Sequence, residues 1–94
     1  MEIKHRENRH KGSFYMEDNG VLLAEMTYSF AGHDKLIIDH TLVSQKIQGQ
    51  GIGNSLVDAA VAYSRDNNIK IVPLCIFAKS VFDKNRSYDD VVIR

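Results

Sequence analysis

The segment Gln48-Gly49-Gln50-Gly51-Ile52-Gly53 sets three glycines in six residues directly ahead of Leu56, Val57, Ala60, Val61 and Ser64, one stripe of a helix of period 3.6. A loop of small residues that opens a helix exposes backbone N–H groups at the positive end of the helix dipole, a setting for phosphate or pyrophosphate. The same glycines also suit a tight strand-to-helix turn that needs positive φ. Two phosphate motifs can be set aside. A P-loop needs Gly-Lys-Ser/Thr at the helix start, and Gly53 is followed by Asn54-Ser55. A dinucleotide fingerprint opens with Gly49-Gln50-Gly51, but its third glycine position is Asn54.

The flanking pattern specifies what the loop connects. Gly12 to Asp18 reads as a strand, and Asn19-Gly20 is a hairpin signal because both residues tolerate positive φ. Val21 to Phe30 alternates, with Leu22, Ala24, Met26, Tyr28 and Phe30 on one face. Ala31 to Asp34 is a turn, and Lys35 to Val43 a third strand in which Leu36, Ile38, His40 and Leu42 share a face. The helix should end near Asn67-Asn68, since Asn enters the left-handed conformation readily. Ile69 to Ala78 is continuously apolar and reads as a buried, parallel strand. Lys79 to Asn85 is a short helix candidate and Tyr88 to Ile93 a candidate final strand. The expected fold is therefore α+β and three-layer-like: a mixed, mainly antiparallel sheet with a central βαβ crossover.

Composition narrows the function classes. A chain of 94 residues forms one domain, residues 1–94, of which 1–11 is a polar N-terminal segment. Twelve Lys plus Arg balance twelve Asp plus Glu, which argues against a general nucleic-acid or anionic-membrane binder. The basic cluster of His5, Arg6, Arg9, His10 and Lys11 is interrupted by Glu7 and reads as a solvated tail or edge. Cys75 is the single cysteine, so no intramolecular disulfide or multi-thiolate metal site can form, and no metal is expected. With no apolar run of a signal peptide or membrane span, the expected location is cytoplasmic.

What remains of the loop is Gln-x-x-Gly-x-Gly, filled by Gln48, Gly51 and Gly53 after a meander and before a helix and a second buried strand. In this the chain resembles the GNAT N-acetyltransferases over roughly Gly12 to Ile93. Ile38-Asp39-His40-Thr41 before the loop and Ile71-Val72-Pro73-Leu74-Cys75 after the helix are similar to a small stand-alone GNAT-like group with a strand His and a strand Cys. The resemblance implies acetyl-CoA, or CoA, as cosubstrate. It implies that Leu42 and Val43, with Gln48, Gly49, Gln50, Gly51, Ile52, Gly53 and Asn54, hold it. It further implies two parallel strands that splay to admit the pantetheine arm. Pro73 marks such a place independently, because it has no N–H for the sheet ladder.

The implied reaction is acetyl transfer to an amine, a small molecule or a protein amine. From the pattern alone His40 reads first as a core histidine satisfied by a carbonyl; the resemblance makes it the candidate base, since neutral imidazole suits proton removal near pH 7. Cys75 is a candidate acyl acceptor, a neighbour of the thioester, or a small buried hydrophobe shaping the slot. Two departures point to an alternative, a CoA-binding protein with little or no transferase activity. Where many relatives carry a Tyr acid the matching residue is Phe82, and the N-terminal helices that wall the amine site in larger members are missing. A monomer or weak dimer is expected.

Overall fold

The structure is a computed structural model and describes residues 2–94. Five strands form one sheet in sequence order: β1 (Lys4–Glu7), β2 (Lys11–Asp18), β3 (Val21–Phe30), β4 (Lys35–Val43) and β5 (Lys70–Pro73). The first four pair antiparallel, and β5 joins β4 in parallel. Helix α1 (Ile52–Asn67) makes the crossover between β4 and β5, and α2 (Ile76–Lys84) follows β5. The mixed α+β sheet with a βαβ crossover is as expected. Its helices bury Leu56, Val57, Ala60, Val61, Ala78 and Phe82 in one cluster with Phe14, Met26, Tyr28, Leu36 and Ile38 of the sheet. The sheet therefore has one face covered by the helices and one open face.

The turns follow their chemistry. Asn19 and Gly20 both adopt positive φ, 51° and 79°, as a two-residue hairpin with right-twisted strands requires. Asn68 closes α1 at φ 55°, its N–H donated to the Ser64 carbonyl. The basic cluster is the edge of the sheet: Lys4–Glu7 pairs with Gly12–Tyr15, and the Asn8 side chain accepts from the N–H groups of His10 and Lys11 to turn the chain.

Two bulges rephase the meander. Between Met16 and Glu17 the register slips, so Leu23 is the extra residue of β3; it is buried, while Leu22 lies exposed. On β4 the register runs from Thr27 opposite His40 to Tyr28 opposite Ile38, leaving Asp39 as the bulged residue. Leu36 and Ile38 are fully buried; His40 and Leu42, expected on the same face, are turned to the open one. A one-residue insertion reverses every side chain beyond it.

The C-terminal third also differs from expectation. The apolar run Ile69 to Ala78 is not one strand: β5 stops at Pro73, and Ile76, Phe77 and Ala78 open α2, with Ala78 and Phe82 buried four residues apart. A short apolar run fits a buried helix turn as well as a strand, and periodicity cannot separate them. The final strand reduces to a bridge between Ile71 and Val92, after a 3-10 turn at Arg86–Tyr88. Among the described residues no helix is long and apolar enough to cross a membrane.

Candidate functional site

The glycine loop lies between β4 and α1. Gly49 and Gly51 have φ of 82° and 73°, and Gly51 is the residue that caps α1 without any side-chain hydrogen bond. The first intrahelical bond from this cap runs from the Ser55 N–H to the Gly51 carbonyl, so the amides of Ile52, Gly53 and Asn54 point out of the helix end. No acidic residue occupies that first turn. A pocket of about 210 Å³ sits over it, lined by Val43, Ile47, Gln48, Gly49, Gly51, Ile52, Gly53, Asn54 and Phe77. Its dipole and free N–H groups suit an anion. The Gln48 side-chain amide donates to the Val43 carbonyl at 3.4 Å, tying the loop to the end of β4.

Of the residues expected to hold the cosubstrate, Val43, Gln48, Gly49, Gly51, Ile52, Gly53 and Asn54 line this pocket. Leu42 faces the open side of the sheet and Gln50 is exposed outside the pocket. Sequence reasoning missed Ile47 and Phe77. Phe77 belongs to the run read as strand, and only its place on α2 brings its ring to the glycines.

Beside the loop, β4 and β5 part. Their parallel pairing spans Lys35 to Ile38 against Lys70 to Pro73 and then stops. Past Pro73, the Leu74 and Cys75 N–H groups both donate to the Ile38 carbonyl at 3.0 Å, and the chain turns into α2. Thr41 to Val43 therefore continue without a neighbour on that side. The imino acid, the Asp39 bulge and the start of α2 fall at the same level, so the gap is built into both strands.

The structure does not bring His40 and Cys75 together. Cys75 stands at the N-cap of α2 rather than in a strand, and its Sγ lies 3.4 Å from Thr41 Oγ1. Thr41 pairs with Met26 of the covered face, whereas His40 pairs with Thr27 of the open face. The two side chains flank β4 from opposite sides, at the level where the strands separate. Next to His40, the Asp39 carboxylate accepts a hydrogen bond of 2.5 Å from Thr27 Oγ1. Phe82 is fully buried, its ring edge-on to Tyr88 at 5.6 Å, and offers no proton. The Tyr88 hydroxyl is directed at Asp58 of α1.

The similarities agree with this geometry. A family profile described as GCN5-related N-acetyl-transferase matches residues 13–91. A GCN5-like protein from Staphylococcus aureus, solved in solution by NMR, is 41% identical, with a TM-score of 0.74 over 98% of this chain and 87% of that one. At lower identity the fold recurs in an acetyltransferase from Clostridium acetobutylicum solved with acetyl-CoA (21% identity, TM-score 0.64, 79% of this chain and 55% of that one). It recurs also in the ribosomal-protein-alanine N-acetyltransferase of Brucella melitensis biovar Abortus 2308 (17% identity, TM-score 0.64, 93% and 64%). No curated protein matches by sequence. With the family profile covering most of its length and a 41% identical relative aligned over 98% of this chain, the chain belongs to the GCN5-related N-acetyltransferase family.

Proposed function

We propose that the protein transfers an acetyl group from acetyl-CoA to an amine. The observation that carries this reading is the gap between β4 and β5 past Ile38 and Pro73, opening beside a helix N-terminus whose amides are free. The amides of Ile52, Gly53 and Asn54 would receive the pyrophosphate, and the unpaired edge of β4 from Thr41 to Val43 would bond the pantetheine amides as an added strand does. Such an arm leads toward Ile38, Thr41 and Cys75.

His40 stands on the opposite side of β4, where it can take a proton from an amine arriving over the open face. The amine nitrogen then bonds to the acetyl carbon, the carbon–sulfur bond breaks, and the second proton, which the nitrogen sheds on becoming an amide, passes through water to the thiolate of CoA, since Phe82 has none to give. This arrangement favours direct attack over passage through Cys75, whose thiol is on the far side of β4 from His40. The buried Phe82 supports a second reading, a CoA-binding protein with little turnover.

CoA at a hundred times its Kd should stabilise the fold by about 2.7 kcal/mol; a melting temperature unmoved at millimolar CoA overturns both readings. Thiol release from acetyl-CoA with a panel of amines separates them, and His40→Ala should lower it if imidazole is the base. Intact-mass measurement after rapid quenching should show no acetyl adduct; an adduct lost in Cys75→Ser would establish the covalent route instead.

A further inference from the structure

The open face of the sheet carries a groove of about 570 Å³ whose lining includes Arg6, Lys11, Ser13, Glu25, Thr27 and Asp39. Arg6, Ser13, Thr27 and His40 form one cross-strand row from the edge strand β1 to the bulge of β4. The row thus ends where β4 and β5 part. Ser13 is at its centre: 4% exposed, with a hydroxyl that has no hydrogen-bond partner although it lines the groove. A buried, unsatisfied hydroxyl costs about 1–3 kcal/mol, which a polar ligand would recover.

The charges along the groove are unevenly matched. Arg6 and Glu25 neutralise one another at 3.2 Å. Asp39 has only the Thr27 hydroxyl, and Lys11 makes no ion pair among the described residues. The third lining carboxylate, Glu7, is taken up by the Tyr28 and Tyr63 hydroxyls and lies beside His5, which leaves Asp39 and Lys11 as the carboxylate and ammonium without such partners. They stand on β4 and β2, two strand spacings or roughly 10 Å apart across the sheet.

We infer that this groove is the acceptor site and that it selects an amine bearing a separate anionic group, the ammonium meeting Asp39 and the anion Lys11, with Ser13 bonding the segment between. The inference rests on the transfer reading above, since it takes the groove's end at His40 as the place of reaction. The overall change is R–NH3+ plus acetyl-CoA to the N-acetyl amine, CoA thiol and a proton. Asp39 orients the ammonium, and His40 receives the proton that must leave before nitrogen can attack.

The test uses 6-aminohexanoate, hexylamine and hexanoate as probes on the full chain labelled with nitrogen-15, with and without CoA. The expected result is that 6-aminohexanoate shifts the amide resonances of Ser13, Thr27 and Asp39 with a Kd at least tenfold below those of the other two. Lys11→Gln should erase its advantage over hexylamine and Asp39→Asn its advantage over hexanoate, both variants keeping the wild-type melting temperature and CoA stabilisation. In thiol release, Lys11→Gln should raise KM for 6-aminohexanoate about tenfold with kcat unchanged. Equal affinities of the three probes, or shifts outside this row, overturn the inference while CoA stabilisation persists. Loss of CoA stabilisation in the wild type overturns the transfer reading itself.

Discussion

The tip of the Phe77 ring abuts Gly53: a β-carbon placed there would collide with Phe77 Cζ and come within 2.7 Å of Cε2. Gly53 is not held by its own dihedrals, so the contact alone excludes a larger residue. One glycine of the loop thus serves helix packing, while its neighbours serve the turn.

Gly53→Ala should push the Phe77 ring outward and cost about 1–3 kcal/mol through overpacking. In a Phe77→Ala background the same change should turn stabilising by about 0.5–1 kcal/mol, because alanine is the better helix residue. A double-mutant cycle by urea denaturation reads the coupling. Additive costs would mean that the ring and the glycine do not meet.

Gly51→Ala should behave differently. Nothing lies within 4 Å of a β-carbon at Gly51, but its φ is 73°, so the cost is backbone strain of roughly 1–2 kcal/mol and no second substitution should relieve it. Thermal denaturation of Gly51→Ala with and without Phe77→Ala provides the comparison.

Asn68 ends α1 in the left-handed conformation at φ 55°. Asn68→Gly should be neutral or slightly stabilising, and Asn68→Ala should lose about 1 kcal/mol. Equal melting temperatures for the two variants would show that the helix end does not need this conformation.

Acid should loosen the N-terminal edge before the rest of the sheet. His5 Nε2 donates to the Tyr28 hydroxyl at 2.5 Å, and Tyr28 and Tyr63 donate to Glu7 at 2.7 and 2.8 Å. Burial holds the His5 imidazole below its ordinary 6.5, against the opposing pull of Glu7. Burial pushes Glu7 up, but the two tyrosine hydroxyls and His5 together bring it below its ordinary 4.5. Burial and the hydrogen bond to Glu7 raise Tyr63 to about 12, so both hydroxyls stay donors. Both depressed groups bind protons more weakly when folded, so stability is full above the unfolded values and falls with pH. The histidine part goes as pH drops below 6.5 toward its folded value, and the carboxylate part below 4.5. Protection factors of the Lys4 to Glu7 amides, taken relative to the base-catalysed intrinsic rate at each pH, should fall between pH 7.5 and 5.5, and His5→Gln should remove that step. Protection factors that stay constant across this interval would contradict the assignment.

The elements that sequence alone specified are those with local causes. Asn19-Gly20 can only turn one way, Asn68 ends a helix by its own tolerance of positive φ, and the glycines before Ile52 announce a loop opening a helix. The period of 3.6 in α1 and the Gln48-Gly51-Gly53 spacing were enough to place the family and most of the loop pocket. The His5–Arg6 cluster was less legible, because a short charged edge strand has no apolar face to betray it and depends on the Asn8 turn and the Glu7 contacts to be held.

Tertiary structure decided what periodicity cannot carry. The Asp39 bulge is invisible in an alternating strand, since one extra residue alters phase without altering composition, yet it sends His40 to the open face and leaves Thr41 to meet Cys75. The run after Ile69 is apolar whether it lies in a sheet or a helix; Pro73 ending the ladder and the burial of Ala78 with Phe82 determine that it becomes α2. Local propensity acts through a few neighbouring residues, and these outcomes depend on pairings between β3, β4 and α2 that are distant along the chain.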